Sequence, residues 1–359
     1  MPWGVVNVFG ITSSVKMTKL SLIFCVCVCA SLLCSQNVSA QEQKFAELGD
    51  FKLVSGETLR NCRIGYRTFG KMNADRSNIV VFPTWAGGTT EELKDNVGAG
   101  KLISDADYYV VLIDALANGV SSSPSNSTAQ PHMKFPKITV RDMVNTEHEL
   151  LTTKLDIRHV KAVMGISMGG MQTFQWMVSY PDFMEKAIPI VGSPHVAPYD
   201  VVMWRLNIDA LKDSAGWNHG DYTENPAKMV HFEIGELMLQ TPAEYNRTHT
   251  REQVLDALKK AETDKAEDAN NTIRQSEAMI ALDISDAFGG SMDKAAAAVK
   301  AKALVVAAKQ DHTVTPQPAI NFANLLHAQL LELESDCGHL APGCQTPKVA
   351  SAVADFLRK

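Results

Sequence analysis

The chain has 359 residues, 45% of them hydrophobic and 21% charged, and carries a net charge of −6. That balance describes a soluble globular protein and favours neither nucleic acid nor an anionic membrane surface as a partner; no basic patch stands out. Length alone suggests about two domains, and one large α/β domain carrying an insertion fits equally well.

Met1 to Ala40 reads as an export signal. Lys16 and Lys19 precede the apolar run Leu20 to Leu33, and Val38-Ser39-Ala40 has the small-x-small form after which a signal peptidase cuts. Met17 is an alternative start. The apolar run is shorter than the roughly 18 to 20 residues a spanning helix needs, so no stable membrane anchor is expected after cleavage. A lipoprotein reading through Cys34 is weaker because bulky Leu33 precedes it. The mature protein is expected to be periplasmic or secreted.

From Phe51 onward strand and helix alternate. Phe51 to Leu59 and Arg63 to Phe69 predict an antiparallel hairpin turning near Gly56. The apolar runs Asn78 to Pro83 and Tyr108 to Asp114 suit buried strands. Thr139 is placed to cap a helix whose first turn holds Asp142 and whose stripe is Met143, Leu150 and Leu151. A strand at Val160 to Ile166 follows, then a helix ended by Pro181, then a strand over Ala187 to Val191. From about Ser193 to Lys300 the rhythm breaks into helix formers without a convincing buried strand. Met229, Phe232, Ile234, Leu237 and Met238 read there as helix-on-helix core, and the insertion as a lid. Core segments are thus expected at 41–192 and 301–359, flanking a lid at 193–300. Alternation returns with Ala303 to Ala308, a helix from Pro316 to Leu326, a strand Gln329 to Leu333 and a closing helix from about Pro347.

Four of the seven cysteines, Cys25, Cys27, Cys29 and Cys34, lie in the expected signal. Of the remaining three, Cys337 and Cys344 bracket a short loop and are the economical disulfide in an oxidising compartment, leaving Cys62 unpaired. Cys337, His339 and Cys344 also resemble part of a zinc site, but a fourth ligand at suitable spacing is missing, so no metal is expected.

The chemistry centres on Gly165-Ile166-Ser167-Met168-Gly169, set between an apolar strand and a helix. That is the context of a nucleophile elbow, where residues without bulk on either side let the backbone turn sharply and leave the Ser167 hydroxyl exposed. A serine hydroxyl needs a base, and the base an orienting carboxylate. Among ten histidines, His339 is the one lying after the last strand and before the last helix. Asp311 ends the preceding strand and is the expected carboxylate, with Asp336 as the nearby alternative. Two backbone N–H groups should hold the oxyanion: one from Met168, the other from the loop Pro83-Thr84-Trp85-Ala86-Gly87-Gly88. Trp85 is the first choice, or else a wall of the pocket; Ala86 comes next and is also expected at the substrate.

The segment Gly165-Ile166-Ser167-Met168-Gly169-Gly170-Met171-Gln172, with Trp176 after it, resembles the nucleophile segment of the homoserine O-acetyltransferases of the α/β-hydrolase superfamily. Phe135 to Val144 resembles the segment ahead of it. The resemblance runs from about Leu53 to the end and is weakest in the insertion. It implies an α/β-hydrolase fold, a mostly parallel sheet flanked by helices with a helical lid, and a ping-pong mechanism passing an acetyl group from acetyl-coenzyme A through Ser167 to homoserine. It also admits a homodimer. Arg205 falls where the family has an arginine able to hold the substrate carboxylate, and an exposed helix-surface ion pair is the alternative for it. The loop Ala117-Asn118-Gly119-Val120-Ser121-Ser122-Ser123-Pro124 departs from the family's Gly-rich pattern.

Export weighs against coenzyme A, a cytoplasmic metabolite. The expected activity is therefore hydrolysis of a small acyl ester through an acyl-enzyme, with no cofactor. A homoserine O-acetyltransferase-like activity is the alternative, and a non-catalytic binding protein is third.

Overall fold

The computed structural model describes residues 42–226, 228–262 and 267–359. The expected signal segment, Met1 to Ala40, lies outside the described residues. Gln43 to Lys359 form one compact unit.

Its centre is an eight-stranded sheet: β1 (Lys44–Lys52), β2 (Thr58–Phe69), β3 (Ile79–Pro83), β4 (Tyr109–Ile113), β5 (Val160–Ile166), β6 (Met184–Ile190), β7 (Lys302–Ala308) and β8 (Gln329–Leu333). The spatial order is β1-β2-β4-β3-β5-β6-β7-β8. β1 and β2 pair antiparallel, as do β2 and β4, and every later pairing is parallel. The parallel strands are buried on both faces, which explains their unbroken apolar runs. Side chains alternate across the sheet: Val81, Val111 and Val163 pack into one core layer, Val80, Phe82, Leu112 and Met164 into the other.

The hairpin differs from the expectation. β1 starts at Lys44 and ends at Lys52, so the stretch read as the first strand straddles the turn. Gly56, at φ +89°, does sit in that turn, closed by Gly56 N–H to Leu53 O and Leu53 N–H to Glu57 O. β1 escaped notice because it is mostly solvent-facing, with only Ala46 buried, and because its pairing register shifts on either side of Gly49.

Helix α1 (Val140–Glu149) begins as expected: Thr139 Oγ1 accepts from Asp142 N–H and the Asp142 carboxylate accepts from Thr139 N–H. It packs against α2 (Met168–Ser179), the helix after the elbow. Between β6 and β7 the chain folds as α3 (Pro198–Asp213), α4 (Lys228–Leu239), α5 (Pro242–Thr248), α6 (Arg251–Ala261), α7 (Ala269–Ile280) and α8 (Met292–Ala298). α9 (Gln317–Leu325) and α10 (Thr346–Arg358) flank β7 and β8. Among the described residues no helix is long and apolar enough to cross a membrane.

Candidate active site

Three strand ends deliver the central residues. At the end of β5 the chain turns into α2 through Ser167, whose φ of 57° and ψ of −122° are strained for a residue with a Cβ. The turn closes only because its neighbours are bare. A Cβ on Gly165 would stand 2.1 Å from Gly169 O, and one on Gly169 would stand 2.6 Å from Pro83 O. Ser167 N–H donates to Ile190 O at 2.9 Å, tying the elbow to β6.

Asp311 follows β7 and His339 follows β8. His339 Nε2 lies 2.9 Å from Ser167 Oγ, and Nδ1 lies 2.7 Å from Asp311 Oδ2. With the proton on Nδ1 the chain is consistent: Nδ1–H donates to the carboxylate, and Nε2 accepts from the serine hydroxyl. The other oxygen of Asp311 accepts from the N–H groups of Thr313 and Val314, at 2.9 and 3.0 Å, which fixes the carboxyl plane. Asp336, the alternative carboxylate, is exposed, and its backbone oxygen is taken up by Thr241. Cys337 and Cys344 are joined in a disulfide that brackets His339. Cys62 is free and buried, its thiol pushed up to about 12 mainly by burial, which makes it unreactive.

Trp85 and Ala86 line the cavity above Ser167. The loop that carries them is braced from several sides. Thr84 N–H donates to Ile113 O at 3.0 Å, Thr84 Oγ1 accepts from Ala115 N–H at 3.1 Å, and Gly87 N–H donates to Gln275 Oε1 at 2.7 Å. Met168 begins α2, where the first amides of a helix have no partner within it.

The cavity has a volume of about 760 Å³. Its outer wall comes from the helices between β6 and β7: Trp204 and Asn207 of α3, Ile234 and Met238 of α4, and Met279 of α7. Ile234 and Met238 thus do more than pack helix on helix, whereas Leu237 points to solvent, 73% exposed.

Arg205 must be corrected. The α-helical rotation that turns Trp204 and Asn207 inward turns Arg205 outward, where it pairs with Asp209 one turn on at 2.8 Å, its side chain 65% exposed. It is not among the residues lining the cavity. The three serines of the 117–124 loop are likewise taken up by structure. Ser121 Oγ donates to Asp114 O and accepts from Gly65 N–H, Ser122 Oγ accepts from Arg63 N–H, and Ser123 Oγ donates to Ser121 O.

Sequence reasoning missed Asp200 and Gln275. Asp200, in the first turn of α3, is fully buried and accepts from the Thr315 amide at 3.1 Å and the Thr315 hydroxyl at 3.3 Å. Burial pushes its carboxyl up to about 6, with the Asp311 charge adding to the rise. It braces, from the helical side, the loop that carries Asp311. Gln275 bridges Gly87 N–H and Leu116 O. Neither residue lies in a local motif, so no signal in the sequence marks them.

A serine on a strained strand-to-helix turn, backed by histidine and aspartate from two later strand ends, is the arrangement of an acyl-transfer enzyme. Residues 78–342 match the family model described as the alpha/beta hydrolase fold, and the chain belongs to that family. It is similar to the ethyl acetate hydrolase of Pseudomonas veronii, 28% identical over 310 residues that cover 82% of this chain and 88% of that one. It is also similar to the homoserine O-acetyltransferase of Methanococcoides burtonii, 28% identical over 355 residues that cover 86% of this chain and 72% of that one. Among solved structures, the acetyl esterase MekB superposes with a TM-score of 0.83 at 25% identity, covering 89% of this chain and 97% of that one. The chain is an α/β-hydrolase acyl-transfer enzyme related to both esterases and homoserine O-acetyltransferases.

Proposed function

We propose that this protein is an exported serine esterase that hydrolyses small, uncharged acyl esters through an acyl-enzyme. The observation that carries the reading is the hydrogen-bonded run Ser167–His339–Asp311 opening into the cavity. As Ser167 Oγ attacks the ester carbonyl carbon, its proton passes to His339 Nε2 and the carbonyl π pair moves onto oxygen, facing the N–H groups of Trp85 and Met168. Collapse of the tetrahedral species expels the alcohol, protonated by His339. Water then attacks the acyl-serine as His339 Nε2 takes its proton; when the second tetrahedral species collapses, the Ser167 Oγ–carbon bond breaks, His339 returns the proton to Ser167 Oγ, and the acid leaves.

The wall of the cavity favours ester hydrolysis over homoserine acylation. Arg205 faces solvent, while α3 presents Trp204 and Asn207 to the cavity. A neutral amide suits an uncharged substrate group better than a carboxylate. Export is supported by the signal-like Met1 to Ala40 and by the disulfide beside His339.

The test is product analysis on purified mature protein. Ethyl acetate should yield acetate at a rate that added homoserine and acetyl-coenzyme A do not alter. Acetylation of homoserine faster than hydrolysis by roughly tenfold, a transition-state preference of about 1.4 kcal/mol, would assign the protein to the transferases instead.

A further inference from the structure

Gln172 lies one turn into α2, has no exposed surface and is not among the residues lining the cavity above Ser167. Its Nε2 donates to Thr84 O at 3.0 Å and to Met168 O at 3.2 Å, while its Oε1 has no hydrogen-bond partner. The amide cannot be turned over: the flipped orientation would set Oε1 against two carbonyl oxygens and take from Thr84 O the donor it now has. A buried, half-satisfied amide is costly and calls for a reason.

The reason is in which carbonyl it holds. Thr84 C=O and Trp85 N–H belong to one planar peptide group and point in opposite directions. A donor fastened to Thr84 O therefore fixes the direction of the Trp85 N–H. We infer that Gln172 is a positioning residue for the oxyanion hole, locking the Thr84–Trp85 peptide so that Trp85 N–H faces the carbonyl oxygen attacked by Ser167. This rests on the acyl-transfer reading given above. Two further features agree. The Thr84 N–H and hydroxyl are each bonded to the β4 end, to Ile113 O and from Ala115 N–H, so only the Thr84 carbonyl side remained to be fixed. Gly169 brings α2 against the Pro83–Thr84 backbone, within reach of a glutamine side chain and of nothing bulkier between them. A hydrogen bond onto the carbonyl also polarises the peptide and strengthens its N–H as a donor.

The contribution should appear where negative charge develops on oxygen and not in substrate binding. The variant is Q172M, of similar volume but without the donor. On ethyl acetate its kcat should fall roughly ten- to a hundredfold, less than or equal to the loss seen when an oxyanion donor is deleted outright, with KM changed by less than about threefold. Two inhibitors separate geometry from general damage. Pentan-2-one is the ketone isostere of ethyl acetate and stays planar. 1,1,1-Trifluoropentan-2-one forms a tetrahedral adduct: a bond forms between Ser167 Oγ and the ketone carbon, the serine proton goes to His339, and the π pair moves to the oxyanion. In Q172M the inhibition constant of the trifluoroketone should rise by the same factor as kcat/KM falls, while that of pentan-2-one stays put. Should Q172M fail to fold, Q172N, one methylene too short to reach Thr84 O, carries the same expectation. Equal weakening of both inhibitors, or an unchanged kcat in a folded variant, overturns the role of Gln172. If the wild-type protein itself neither hydrolyses ethyl acetate nor binds the trifluoroketone, it is the esterase reading that fails.

Discussion

His339 Nε2 and Ser167 Oγ lie 2.9 Å apart although 172 residues of chain separate them. The contact exists because β5 and β8 end on the same edge of one parallel sheet, so that the loops leaving them meet. Residues joined in this way should fail together. S167A and H339A should each lower kcat/KM on a small ester by several orders of magnitude, and the double variant should lose little more. Additive losses, measured by steady-state kinetics on variants whose concentration is set by absorbance and whose folding is checked by circular dichroism, would show that the two act independently. D311N should cost orders of magnitude as well, because an amide facing Nδ1 favours the wrong imidazole tautomer.

Arg205 gives a contrasting expectation. Its pairing with Asp209 is a solvent-exposed bond between adjacent helical turns and contributes little to stability. R205A should leave kcat/KM on ethyl acetate within about twofold, since the lost contact faces solvent and not the cavity. A tenfold rise in KM would return Arg205 to the substrate.

The Cys337–Cys344 disulfide predicts that rising reductant removes activity before it removes the fold. It closes a short loop around His339, and its loss frees unfolded-state entropy worth about 2 to 3 kcal/mol. It also loosens the imidazole, and about 1 Å of misplacement can cost on the order of a hundredfold in rate. Activity should therefore decline at a lower dithiothreitol concentration than the circular-dichroism signal of the sheet. Coincident losses, or alkylation of both thiols without prior reduction, would remove the disulfide from the account.

Glu147 predicts how stability depends on pH. It is buried behind α2, one carboxyl oxygen accepting from Trp176 Nε1 at 2.7 Å and the other without a partner. Burial pushes its carboxyl up from 4.5 to about 8. The folded state keeps this proton over a range in which the unfolded chain releases it, so the protein loses stability as pH rises from about 4.5 through about 8. The slope is at most about 1.4 kcal/mol for each pH unit. E147Q removes that dependence. Its melting temperature relative to wild type should climb across pH 5, 6, 7 and 8 in scanning calorimetry, and parallel melting curves would place the proton elsewhere.

The features legible in the sequence were those written in local chemistry. The elbow, the strand before it and the helix after it occupy a short consecutive stretch, because a serine turned that sharply needs Gly165 and Gly169 beside it. The chain order Ser167, Asp311, His339 followed from placing each residue at the end of a predicted strand. The Thr139 cap could likewise be read, since its partner is three residues away. β1 could not, because a solvent-facing edge strand with register shifts leaves no apolar alternation to find.

What only the tertiary structure decided is whatever depends on which way a side chain turns once distant segments pack. Arg205 and Asn207 stand two residues apart, and nothing in their order says that the helix would send one to solvent and the other to the cavity. That is settled by which stripe of α3 is apolar enough to bury, with Trp204, Ile208 and Leu211 choosing the face. Asp200 and Gln172 act on Thr315 and Thr84, 115 and 88 residues away. A polar residue carries no mark of a partner that far along the chain; the sheet, by bringing the ends of β3, β5 and β7 to one edge, chose the partners.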